Sequence, residues 1–282
     1  MNGTPAIRQC MVGAALRRYR ENMGFGLDEA ANVLECDRSK ISRIETGHCG
    51  IRSRDLQDLL SEYGVGTHEQ AVLAALANPK RVPGWWQDYK DVLTGDQQDM
   101  MIMESLATQV FIYHTHHIPG LLQTEEYARA AASASNVPAV PAAGQRAVQA
   151  MVARQRAILG AEEPELAVVI AEGALWQQVG GADVMRAQLT RLAMASSTYP
   201  RVSVRILPFA SGAHAGLDAG GLTILRFAET PDLGIVHVPG ISGGICLKDH
   251  DLVTHYANVF AQIRDAALSV RASAELLHRM AT

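Results

Sequence analysis

The segment 34–47, LECDRSKISRIETG, constrains the chain more than any other stretch. It reads as a tight turn, a capped helix start, and a short helix with one apolar stripe and one basic-polar face. Asp37 is placed as the N-cap, its carboxylate able to accept from the backbone N–H of Ser39 or Lys40. Ile41 and Ile44 stand three apart and share one side of that helix. Arg38, Ser39, Ser42 and Arg43 fall mostly on the other side. A helix entering the DNA major groove needs such a face: arginine forks onto guanine acceptors, small hydroxyls fit base edges or phosphates, and positive charge offsets the backbone. Composition does not make this argument. Residues 1–66 carry nine Lys/Arg and nine Asp/Glu, and basic residues on a helix are usually a solvated face, so the pattern alone carries it.

The flanking sequence strengthens the pattern. Leu27, Ala30, Ala31 and Leu34 keep the spacing of a buried helical face, with Gly24 breaking the chain just before them. Val12, Leu16, Tyr19 and Met23 give an earlier stripe, decorated by Arg17, Arg18 and Arg20. Leu56, Leu59, Leu60 and Tyr63 mark a later helix closed by Gly64, and Thr67 is expected to cap a further one through about Ala77. Short helices with short turns make a compact bundle, the second and third forming a helix-turn-helix. SKISRIETG, with GFGLDEAANVL before it and IRSRDLQDLLSEYGV after it, resembles the helix-turn-helix of the Xre (lambda repressor-like) transcription factors.

Three positions depart from that family's pattern. Gly26 replaces the usual Ser or Thr N-cap, a loss of a few tenths of a kcal/mol. Glu35 sits in the turn where the family often has Gly, and carries strain if φ is positive there. Leu27 replaces a phosphate-contacting Gln, so that contact is expected to be missing.

At 282 residues, the chain has room for two domains. We divide it into 1–66, the helix-turn-helix domain; 67–84, a helix and linker; and 85–282, a regulatory and dimerisation domain. The fold class expected is α+β, an all-α bundle of about five helices followed by a larger mixed α/β domain. A net charge of −4 excludes a diffuse polycation. Cys10, Cys36, Cys49 and Cys246 are scattered, with no C-x-x-C pair, which suits a reducing cytoplasm. No signal-type apolar core or membrane-length apolar run is seen, so a cytoplasmic location and no membrane contact are expected.

Along the chain, residues 1–10 read as a loose arm and NPKRVPG (78–84) as a connector. WWQDYKDVL (85–93) supplies packing or docking anchors. A helix, an extended piece near 109–114 and a helix starting at Thr124 follow. NVPAVPAAG (136–144) reads as a loop, with a long helix after it to Leu159 that exposes RQRA (154–157). ELAVVIAEG (165–173) is a buried strand, 180–197 a helix with Val184, Leu189 and Leu192 inward, and 202–209, 221–227 and 234–240 are strands. Strand, helix, strand predicts a βαβ crossover followed by an antiparallel meander. Helices at 250–268 and at the C-terminus close the chain. GWWQDY, IPGLLQTEEYARA, EGALWQQVGG, VRILPFASGAHAGL and LTILRF resemble the C-terminal domain that often follows an Xre-type helix-turn-helix in actinobacterial regulators.

Other chemistry is weaker. His114, His116 and His117 suggest a metal, yet no third ligand has characteristic spacing, so polar loop or interface histidines, with no metal and no cofactor, are expected. His214, in the loop 209–217, could act as a base, but no G-x-S-x-G elbow is present and Glu172 is a lone carboxylate. No enzyme activity is expected. The Gly212–Gly216 loop is a candidate lining for a pocket or partner surface.

The resulting expectation is a sequence-specific, DNA-binding transcriptional regulator. Arg38, Ser42 and Arg43 read base edges, Ser39 belongs to the same face, Lys40 meets the backbone, and Arg52 and Arg54 add phosphate contacts. The resemblance implies a homodimer on a palindromic operator. It also implies a small partner protein encoded nearby, in a toxin–antitoxin-like pair, or a small-molecule effector. An antitoxin-like module that sequesters its partner and binds DNA only for autoregulation, and a ligand sensor or enzyme with a DNA-binding head, remain alternatives.

Overall fold

The computed structural model describes residues 7–78, 84–134, 141–162, 164–227, 230–240 and 243–282. Five helices come first: α1 (Ile7–Asn22), α2 (Leu27–Val33), α3 (Arg38–Glu45), α4 (Ser53–Glu62) and α5 (Thr67–Ala77). The stripes meet as their spacing dictates, with Val12, Leu16, Ala30, Ala31, Ile41, Ile44, Leu56, Leu59, Leu60 and Tyr63 all buried. Leu27 and Leu34 are only half-buried. Met23 lies beyond the end of α1 and is 48% exposed, so it does not belong to the stripe. Arg20 is buried rather than decorating the surface. The N-cap of α5 is Gly66, one residue before Thr67.

A 3₁₀ turn (Trp85–Tyr89) buries Trp86 and leads to α6 (Gly95–Leu106), which opens on a reciprocal cap between Thr94 and Gln97. Then come β1 (Gln109–His114), α7 (Glu125–Ala134), α8 (Pro141–Leu159), β2 (Glu165–Ala171), α9 (Gly173–Trp176), α10 (Ala182–Thr198) and β3 (Val202–Leu207). The chain ends with β4 (Gly221–Phe227), β5 (Thr230–Gly240), β6 (Gly243–Leu247), α11 (His250–Ala266) and α12 (Val270–Ala281).

The strands form one sheet in the order β3-β2-β1-β4-β5-β6. β1, β2 and β3 run parallel, whereas β4, β5 and β6 are an antiparallel meander, the crossover-then-meander order read from the sequence. α11 covers one face, placing Val253, Phe260 and Ile263 against Tyr113, Leu222, Ile224 and Val236. On the other face Val110, Ile112, Val168 and Ile206 share a core with α10 and α12, and that core continues into the helical bundle. Arg8 ties the two parts: its Nε lies 2.5 Å from Asp99 Oδ1 on α6, and its Nη1 donates to Leu76 O at 2.7 Å.

Some expectations are corrected. The helix read as starting after 144 begins at Pro141, because proline suits a first turn where no N–H partner is required. The RQRA segment is not exposed as a whole. Gln155 is buried, donating to Gly120 O and Gln123 O, and Arg154 pairs with the buried Glu104. β6 was not anticipated. Of the arm read at 1–10, residues 7–10 instead open α1, where the Met11, Val12 and Leu16 stripe is anchored, and 1–6 lie outside the described residues, as do 79–83 of the connector and 136–140 of the loop read at 136–144.

Candidate nucleic-acid interface

α3 is short, and its neighbours fix its position. Ile41 and Ile44 anchor its underside at 1% and 2% exposure. α1 crosses so closely that a Cβ at Gly13 would lie 2.4 Å from Ile44 O and 2.6 Å from Glu45 O, so glycine is what permits the crossing. Arg20 donates Nε to Glu45 Oε1 at 2.7 Å and Nη2 to Glu45 Oε2 at 2.9 Å, while Nη1 donates to Phe25 O at 2.7 Å. This two-pronged bond raises the Arg20 pKa above its ordinary value. Tyr63 packs edge-on against Phe25 at 6.2 Å, and burial raises its phenol pKa to about 12.

The turn into α3 is strained as its sequence suggests. Glu35 has φ +48°, the sole positive value among described non-glycine residues, at a cost of roughly 1–2 kcal/mol. Asp37 occupies the N-cap in extended geometry (φ −72°, ψ 143°), but its side chain makes no cap bond; the backbone closes the turn through Lys40 N to Asp37 O at 2.9 Å. Gly26 is the N-cap of α2, likewise without a side-chain bond.

The outward face of α3 is open to solvent. Arg38 is 66% exposed, with a distant approach to Asp28 at 3.9 Å. Ser39 and Arg43 are exposed and Ser42 is half-buried. Among the described residues, Arg43 and Arg52 make no ion pair. Lys40 is engaged: its Nζ lies 2.8 Å from Asp55 Oδ2 in the first turn of α4, and that hydrogen bond raises the lysine pKa. Arg52 is the exposed N-cap of α4, and Arg54 reaches Asp58 only at 3.9 Å. The seven residues singled out in the sequence therefore fall on α3 and on the start of α4. The two groups are bridged by Lys40 and Asp55.

Three elements of this site were missed in the sequence: Gly13, the Arg20–Glu45 pair and the Lys40–Asp55 pair. Only Arg20 carried a local signal, since it continues the Val12, Leu16 series at the next i+4 position. The back of the bundle faces the second half. Arg17, Arg18, Glu45 and Thr46 line a cavity of about 520 Å³ opposite Leu233 and Lys248–His250 at the start of α11.

The histidines lie elsewhere. His114 ends β1 with its ring 4.4 Å from that of His117, and burial lowers its pKa to about 3. Among the described residues, no three His, Cys, Asp or Glu side chains are gathered as a metal site would require. His214 accepts from Gly216 N at 3.1 Å and, together with Glu172, lines a separate pocket at the far end of the sheet. No described helix is long and apolar enough to cross a membrane.

Two known families match separate parts of the chain. A family described as Helix-turn-helix domain matches residues 12–73, the part that holds most of α1, all of α2 to α4 and most of α5. A second, described as Domain of unknown function (DUF5753), matches residues 97–279. No curated protein and no solved structure matches the chain. The helix-turn-helix match marks the first part as a DNA-binding domain of the kind found in regulators.

Proposed function

As the chain belongs to the family of the domain of unknown function DUF5753 and carries a helix-turn-helix domain ahead of it, we propose that it is a sequence-specific transcriptional regulator that reads DNA through α3. The observation that carries this reading is the two-sidedness of α3. Its isoleucines are locked in the core, while Arg38, Ser39 and Arg43 stand in solvent. Arg38, Ser42 and Arg43 contact base edges. Arg52 and Arg54 contact phosphates beside the N-terminus of α4, where free amides also favour an anion. Lys40 reaches the backbone while sharing its charge with Asp55.

In this reading the protein acts as a homodimer on an imperfect palindrome with half-sites about 10 base pairs apart or a multiple of that. The second domain, in place of catalysing a reaction, couples a small partner protein or a ligand to the spacing of the two heads. Selection of bound fragments from genomic DNA by the full chain tests the reading. Recovery of a palindromic site, lost with Arg43→Ala, supports it. Failure of the full chain to retain any genomic fragment at low ionic strength overturns it.

A further inference from the structure

A second pocket, of about 370 Å³, opens at the carboxyl ends of β1, β2 and β3, where the antiparallel β4 joins them. Ligands of open α/β sheets bind at that edge. Its lining holds two carboxylates, Glu172 and Asp218, and two imidazoles, His116 and His214, with no lysine or arginine. Glu172 is fixed by neutral donors alone: Phe209 N at 2.8 Å to one oxygen and Trp176 Nε1 at 3.4 Å to the other. Among the described residues no lysine or arginine pairs with it, and lone pairs remain on both oxygens.

Around this charge stand large apolar groups left in water. Phe209 is 69% exposed, Leu217 64%, and Trp176, beside Glu172, 60%. Tyr113 forms the inner wall. Carboxylates set among aromatic faces suit an organic cation, which gains from both the charge and the rings. An anion would meet two like charges, and a neutral apolar ligand would desolvate the carboxylates without compensation.

The pocket also rests on α11. Ser211 Oγ donates to Ala266 O at 2.8 Å, and a Cβ at Gly216 would come within 2.9 Å of Ile263. The other end of α11, roughly 25 Å away, borders the cavity behind Glu45 and Thr46 at the end of α3. We propose that this pocket binds a small organic cation with an apolar body, and that α11 transmits its occupancy to the head. The second half of the proposal rests on the DNA-binding reading; the first half does not.

Calorimetric titration of the full chain with 2-phenylethylammonium and tetraethylammonium, against 2-phenylethanol and phenylacetate, tests it. The cations should bind about tenfold or more tighter than the neutral and anionic counterparts, equivalent to ~1.4 kcal/mol. Glu172→Gln, which keeps an acceptor for Phe209 N, and Phe209→Ala should each weaken cation binding about tenfold while leaving the melting temperature unchanged. Equal binding of all four compounds, no binding at millimolar concentration, or full cation affinity in Glu172→Gln overturns the pocket assignment. Affinity for a selected DNA fragment is then measured with the pocket saturated. A shift supports transmission through α11, and no shift overturns that half. If the chain retains no DNA fragment at all, the head reading fails, while the calorimetric result still decides the pocket.

Discussion

Arg20 of α1 holds Glu45, the last residue of α3, through two near-parallel bonds of 2.7 and 2.9 Å, with both side chains less than 10% exposed. The pair makes the angle of α3 a property of α1. A helix of eight residues has little stability by itself, so the face it turns to solvent is set by what grips its ends.

Removing one partner of this pair leaves the other charged and buried. Arg20→Ala should cost about 3–5 kcal/mol, whereas the double change Arg20→Met with Glu45→Leu should recover most of it. Urea unfolding followed by circular dichroism measures both. An unchanged midpoint for Arg20→Ala would show that the clamp does not hold the bundle.

Gly13→Ala sets two effects against each other. Helix propensity favours alanine by about 1 kcal/mol, but the new Cβ would sit against the carbonyls of Ile44 and Glu45, overpacking worth about 1–3 kcal/mol. The backbone carbonyls cannot rotate away as a side chain would, so net destabilisation is expected. A raised melting temperature would refute the close crossing.

Arg43 is exposed and makes no ion pair among the described residues, so Arg43→Ala should leave stability within about 0.5 kcal/mol while costing ~1–3 kcal/mol in binding at the specific site. Lys40 differs because Asp55 already shares its charge. Asp55→Asn should release it and steepen the salt dependence of DNA binding by up to about one phosphate contact, whereas Lys40→Ala should flatten it by less than that. Fluorescence anisotropy across a salt series separates the two. Identical slopes for wild type and both variants would remove Lys40 from the interface.

His114 makes stability depend on pH. The unfolded chain takes up this proton near 6.5, and the folded chain refuses it until about 3. Stability from this group is therefore complete above pH 6.5 and declines as pH falls from 6.5 toward 3, by up to about 1.4 kcal/mol per unit. His237, whose pKa burial also lowers, adds in the same direction. Between pH 6.5 and 5, before the carboxylates titrate, His114→Phe should flatten the loss. Parallel pH profiles for variant and wild type would show that His114 takes its proton in the folded state.

The sequence by itself determined the local elements, since each depends on residues only a few positions apart. The 3.6-residue stripes gave α1, α3 and α4, the apolar runs at 165–171 and 221–227 gave β2 and β4, and Glu35 marked the strained turn. Whether a polar residue is buried depends on which distant group reaches it. Arg20 meets Glu45, 25 positions away; Lys40 meets Asp55, 15 away; Arg154 meets Glu104, 50 away. β6 lacks a run of alternating apolar residues and is a strand because β5 pairs with it. Those outcomes were left to the tertiary structure, because the compensation of a buried charge or an open backbone bond comes from a partner that no local spacing identifies.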